Sequence, residues 1–117
     1  MKNLFTILLV FAFGFTQAQN KMQPKYEKQG ELVKATYYYE DGKVHQEGFF
    51  KNKKLTGMWT KYDRQGNKIS IGFYKEGKKV GKWFQWHKNK LREITYKDNT
   101  IANVSIWRED TRIASNK

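Results

Sequence analysis

Apolar and polar residues alternate along most of this chain. Ile69, Ile71 and Phe73 share one parity while Lys68, Ser70 and Gly72 share the other, the period of two that marks a strand and not a helix. Runs of this kind, rich in Tyr, Trp, Phe, Ile and Val, lie near 33–39, 44–50, 55–63, 68–75, 80–88, 91–97 and 101–107. Short polar segments separate them. Glu40-Asp41-Gly42-Lys43, Arg64-Gln65-Gly66-Asn67 and Glu76-Gly77-Lys78-Lys79 each offer a glycine where a tight hairpin needs positive φ. Lys51-Asn52-Lys53-Lys54, Lys88-Asn89-Lys90 and Asp98-Asn99-Thr100 offer asparagine, which tolerates the left-handed region. A helical reading fails, because Gly48, Gly57, Gly72 and Gly81 fall inside the apolar runs, where each would cost a helix about 1 kcal/mol relative to alanine. The pattern predicts an all-β antiparallel meander of six to eight strands. The strands occupy 33–107, with 19–32 a loose lead-in and 108–117 a polar tail that has room for one more strand at Thr111–Ala114.

The runs also repeat. Gly42 and Gly66, Gly48 and Gly72, Gly57 and Gly81, Phe50 and Tyr74, Tyr38 and Tyr62, Trp59 and Trp83, and Tyr62 and Trp86 all stand 24 residues apart. A third copy is shorter: Tyr74 to Tyr96 is 22 residues and Trp86 to Trp107 is 21, as if turns had lost residues while the aromatic positions stayed. Self-similarity at such a period means that one supersecondary unit is stacked on copies of itself. Trp59 and Trp83 take one parity; Tyr62, Phe84 and Trp86 take the other. The expected role of these rings is to stack from hairpin to hairpin and form the core; a platform for sugars or bases is the alternative.

Gly57-Met58-Trp59-Thr60-Lys61-Tyr62 followed by Gly66, and Gly72-Phe73-Tyr74 through Gly81-Lys82-Trp83, resemble the MORN-repeat variant family. Its unit runs Gly-x-Trp-x-x-Tyr, a glycine turn, then Tyr-x-x-Gly-x-x-x-Gly-x-Trp. The resemblance is close over Lys53–Trp86, weaker over Val33–Phe50 and eroded after Lys88, where Ile94 stands in place of a glycine. It implies stacked β-hairpins in an elongated sheet. It also implies a non-catalytic binding or scaffolding role, the family being linked to antitoxin-like proteins, to scaffolds and to membrane lipids.

The first residues carry an address. Met1-Lys2-Asn3 is a short positive segment, Leu4–Phe15 is uncharged and apolar, and Thr16-Gln17-Ala18 closes with small residues. This is the pattern of a signal peptide over 1–18, cleaved after Ala18; its apolar run is short of the ~20 residues that span a bilayer. The expectation is export, to the periplasm or beyond the cell. No cysteine is present, which excludes disulfides, thiolate metal sites and a thiol nucleophile, so packing and sheet hydrogen bonds must hold the exported domain.

Candidate chemistry is sparse. His45 and His87 occupy non-equivalent repeat positions with no zinc spacing around them, and no serine has a nucleophile-elbow context. Residues 72–79 imitate a phosphate loop but lack its Ser/Thr and its helix. The adjacent acids Glu40-Asp41 and Glu109-Asp110 fall at turns or strand ends, and a meander of hairpins has little concavity to tune a catalytic pair. No catalytic residue, cofactor or metal is expected; a small hydrolase is the last alternative.

Charge changes the picture more. Lys+Arg number 23 against 11 Asp+Glu, a formal net charge of +12 with pI near 9.9. In a meander alternate turns emerge at the same rim, so Lys51, Lys53, Lys54, Lys78 and Lys79 should gather at one and Lys43, Arg64, Lys88 and Lys90 at the other. The first set is the candidate surface for anionic lipid headgroups, acidic glycans or an acidic protein partner. The plainer reading gives these lysines only solubility and protection of sheet edges. Basic and aromatic residues together also suit nucleic acid, but export argues against it. A protein-specific antitoxin or immunity-type partner, held on a strand edge or the aromatic face, is the second functional expectation.

Overall fold

In a computed structural model the described residues, 22–108, form one eight-stranded antiparallel sheet. Its strands are β1 (Lys25–Gln29), β2 (Leu32–Tyr38), β3 (Val44–Lys51), β4 (Lys54–Tyr62), β5 (Lys68–Lys75), β6 (Lys78–His87), β7 (Lys90–Lys97) and β8 (Thr100–Arg108). Spatial order equals chain order, so every connection is a hairpin. The leader over 1–18 and the tail beyond Arg108, including Thr111–Ala114, lie outside the described residues.

The expected runs coincide with β2 to β8 within a few residues. The lead-in does not: Lys25–Gln29 is a strand, paired with β2 from Lys25–Thr36 to Gln29–Leu32. Its sequence, KYEKQ, hides it because every residue but Tyr26 is polar. The ladder to β2 and the edge-on contact of Tyr26 with Tyr37 at 6.3 Å support it instead, and its charges are balanced locally. Lys25 and Glu27 form an ion pair at 2.8 Å, and Glu27 stands across from Lys34.

The turns follow the residues offered to them. Asn52 and Lys53 (φ 51° and 65°), Glu76 and Gly77 (50° and 80°), and Asp98 and Asn99 (48° and 69°) make two-residue connections with both residues left-handed, the geometry whose twist matches the strands it joins. The turns after β2 and β4 are wider and alike: Tyr39 N–H donates to Lys43 O and Asp63 N–H to Asn67 O, both at 2.8 Å, with Gly42 and Gly66 both at φ 91°. The turn after β6 has shrunk to Lys88-Asn89, which is where the third copy lost its residues. There Lys88 and not Asn89 takes the positive φ, at 55°.

The core is a single row on one face. Trp59 and Trp83 are 8% and 6% exposed, beside Ala35 and Ile94 at 0% and 4%. Each indole lies on a glycine of the preceding strand. A Cβ built on Gly48 would stand 1.9 Å from the Trp59 ring, and one on Gly72 would stand 2.0 Å from the Trp83 ring, distances that no side chain can adopt. The backbone adjusts to the ring. Between the pairs Glu47–Thr60 and Phe49–Thr56, Gly57, Met58 and Trp59 stand opposite Gly48 alone. Between Ile71–Phe84 and Phe73–Val80, Gly81, Lys82 and Trp83 stand opposite Gly72 alone. Gly57 and Gly81 turn these bulges at φ 67° and 69°, a conformation costly for other residues.

Hydrogen bonds and ring edges complete the seat. Trp59 Nε1–H donates to Phe49 O (3.1 Å) and Thr56 O (3.2 Å), and Trp83 Nε1–H to Phe73 O at 3.1 Å. Phe50 and Tyr74 meet Trp59 edge-on at 5.3 and 6.1 Å, and Tyr74 and Tyr96 meet Trp83 at 5.0 and 5.7 Å. Such pairs add about 0.5–1.5 kcal/mol beyond burial.

Gly48 and Gly72 have ordinary φ, so alanine there tests space alone. Gly48→Ala and Gly72→Ala should each destabilise by about 1–3 kcal/mol in urea unfolding, while Ser70→Ala on the same strand stays within about 0.5 kcal/mol. In a Trp83→Ala background the Gly72→Ala penalty should fall to less than half, because the clashing ring is gone.

Candidate functional site

Connections alternate between two rims of the sheet. The turns at 30–31, 52–53, 76–77 and 98–99 share one rim and those at 39–43, 63–67 and 88–89 the other. All five candidate lysines therefore fall on the first: Lys51, Lys53 and Lys54 around one turn, Lys78 and Lys79 after the next. Two main-chain bonds and one side-chain bond hold neighbouring turns in register. Gly77 N–H donates to Leu55 O at 2.9 Å, Asn99 N–H donates to Lys79 O at 2.9 Å, and Asn99 Oδ1 accepts from Lys79 N–H at 2.8 Å.

The five are not equivalent. Lys79 is half-buried, its ammonium 5.1 Å from the ring centres of both Trp83 and Tyr96, so it is engaged by the aromatic row. Lys51 Nζ reaches Glu31 at 3.6 Å. Lys53, Lys54 and Lys78 are exposed and have no carboxylate within ion-pair distance among the described residues. Sequence reasoning missed Lys75. It lines an open depression of about 340 Å³ with Lys51, Asn52, Lys54, Thr56 and Glu76, and it lies 24 residues after Lys51, so the repeat spacing was signal enough.

On the opposite rim Lys88 and Lys90 are exposed as well, but Lys43 and Arg64 are engaged within the fold. Lys43 Nζ donates to Arg64 O at 3.3 Å, the Arg64 guanidinium lies 4.7 Å over the Tyr39 ring, and Tyr39 O–H donates to Tyr62 O at 2.6 Å. Asp63 accepts from Asn67 N–H and Gln65 N–H, and the Asn67 backbone bond first of all holds its carboxyl below the usual range.

The aromatic face has a second shallow depression, about 260 Å³, bordered by Trp59, Tyr74, Trp83 and Lys61. Both indoles lie beneath it on their glycines, so they are core and not a platform. The other face carries Tyr62, whose hydroxyl donates to Glu47 Oε1 at 2.9 Å, and Trp86, which stacks on Phe84 at 6.3 Å yet is 38% exposed. Trp86, the repeat equivalent of Tyr62, lacks the enclosure of Trp59 and Trp83: across from it on β7 stands Leu91 and not a glycine. Among the described residues no group of three or more His, Asp or Glu side chains is placed to hold a metal ion, and no helix is long and apolar enough to cross a membrane.

The family comparison falls on one of these hairpins. Residues 31–52 match the MORN repeat variant. The matched stretch is β2, its turn and β3, the copy with Ala35 where the later ones have tryptophan. It is not the stretch after Lys53, whose residues resemble the motif more closely. No curated protein and no solved structure matches the chain. A shift of 24 carries the matched MORN unit onto β4–β5, so the repeating element is a hairpin. MORN repeats are generally binding modules.

One titratable group is tied to the repeat's turn. His45 stacks against Tyr39 at 4.4 Å; burial, then the charges of Lys61 and Arg64, push its imidazole below the ordinary value of 6.5. The unfolded chain therefore takes up the proton first. Stability should fall as pH drops through 6.5, between about pH 7 and pH 5, and His45→Gln should flatten that slope in urea midpoints measured across the range.

Proposed function

We propose that the protein is an exported, non-catalytic binding or scaffolding module that holds acidic surfaces against its lysine rim. The observation that carries this reading is the placement of exposed Lys53, Lys54 and Lys78 on one rim of the sheet. Two adjacent turns, tied by the Gly77–Leu55 hydrogen bond, present ammonium groups that the described residues leave unpaired. Because the sheet fixes the backbone that carries them, these lysines meet a row of anions without first losing the chain entropy of a flexible tail. Each lysine near an anionic surface contributes about 1 kcal/mol and is screened by salt. Lys79 supports the rim differently: it is held on Trp83 and Tyr96 and fixes the turn from behind. The leader supports export, and the repeat supports a module without chemistry of its own.

The test is flotation of the chain from Gln19 onward with phosphatidylglycerol vesicles over a salt series. Binding should weaken steadily with salt and be absent on phosphatidylcholine vesicles. Combined Lys53→Gln, Lys54→Gln and Lys78→Gln should lower it by about tenfold or more, whereas Lys43→Gln with Lys88→Gln on the opposite rim should change it little. Salt-independent binding, or equal loss from both sets, would remove the proposal.

A further inference from the structure

The two edge strands of the sheet are built differently. β1 has five residues, charged or polar except for Tyr26, carries the Lys25–Glu27 ion pair, and follows directly on Pro24. Shortness, charge and a flanking proline are the devices that stop a strand edge from pairing with another chain. β8 has none of them. It is nine residues long, TIANVSIWR, and its one charge is the terminal Arg108.

Its side chains are exposed on both faces. Ile101, Val104 and Ile106 are 55%, 45% and 54% exposed, and Trp107 is 42% exposed. The buried row explains why. Trp83 stands across from Ile94 and Ile94 across from Val104, yet exposure jumps from 6% and 4% to 45%. The row is interrupted at β8, after which the described residues supply no further strand. A strand placed there would cover Val104 and Ile106 and take up the outward row of β8 main-chain groups.

We infer that β8 pairs with β8 of a second copy, antiparallel across a two-fold axis. The occupant must be nearly uncharged and bring aliphatic side chains at alternate positions. Among the described strands β2 to β7 are paired on both sides, β1 is charged, and β8 alone has that composition. A register centred on Ser105 sets Val104 of each copy opposite Ile106 of the other, extending the Trp83–Ile94–Val104 row without placing like charges opposite one another. The arrangement closes on itself, because an isologous pair leaves only the two protected β1 edges at its ends. A strand-edge contact is smaller than the ~800 Å² per partner of a stable complex, so the association is weak and concentration-dependent. Each copy carries a net charge of +12, so salt should strengthen the pair. That is the reverse of its effect on anionic vesicles, and the two readings can therefore fail separately.

The chain has no cysteine, so a single introduced thiol reports its own neighbours. In the full chain, Ser105→Cys should be cross-linked to a dimer by a short bismaleimide about tenfold faster or more than Tyr26→Cys on β1, since pairing raises the local thiol concentration. The rate should rise with added salt. Adding Ile106→Lys to Ser105→Cys, at an exposed position where the fold does not depend on the side chain, should bring it down to the Tyr26→Cys rate. Equal rates at both edges, no cross-link at Ser105→Cys, or a rate indifferent to Ile106→Lys would overturn the inference.

Discussion

A tryptophan indole resting on the bare backbone of a neighbouring glycine is the contact on which this fold depends. A single-layer sheet has no second layer against which to bury its rings. Here the sheet supplies the missing surface itself: Gly48 and Gly72 leave hollows, and Trp59 and Trp83 lie flat across them. The indole N–H groups find Phe49 O and Phe73 O, so burial leaves neither donor unsatisfied. The bulges at Gly57 and Gly81 follow from the same need, because a regular register would stand the ring upright over its own strand.

This contact explains both the period and its ends. One glycine and one tryptophan, 11 residues apart, define a seat, and the seat recurs after 24 residues. On the N-terminal side Ala35 takes the tryptophan's place and is fully buried, a small residue beside a small-residue hollow. On the C-terminal side Ile94 takes the glycine's place, so no ring can lie on β7 and the row finishes in aliphatic residues. The two outer hairpins act as caps on two seated ones, as terminal repeats do in other stacked architectures. They also leave the sheet asymmetric, polar at β1 and apolar at β8.

Much of this is legible in the residues. Alternation and turn glycines place seven of the eight strands, and the spacing of Trp59 and Trp83 identifies the core. β1 escapes because an edge strand held by its main-chain ladder to β2 and made of polar residues around Tyr26 has no apolar alternation to show. The division among the rim lysines escapes as well: sequence places Lys79 beside Lys78 but does not reveal that one lies on two rings while the other faces water. Parity does separate Trp86 from Trp83, but it does not reveal that the Trp83 face is the enclosed one, which depends on the ring lying on Gly72.

Amide and indole hydrogen exchange by NMR tests the seated-ring account most directly. The Nε1–H groups of Trp59 and Trp83 should exchange as slowly as the most protected amides of β3 to β6, opening only with global unfolding, while the Trp86 and Trp107 indoles exchange rapidly. Exchange of the Trp59 and Trp83 indoles at the rate of their exposed counterparts would contradict it.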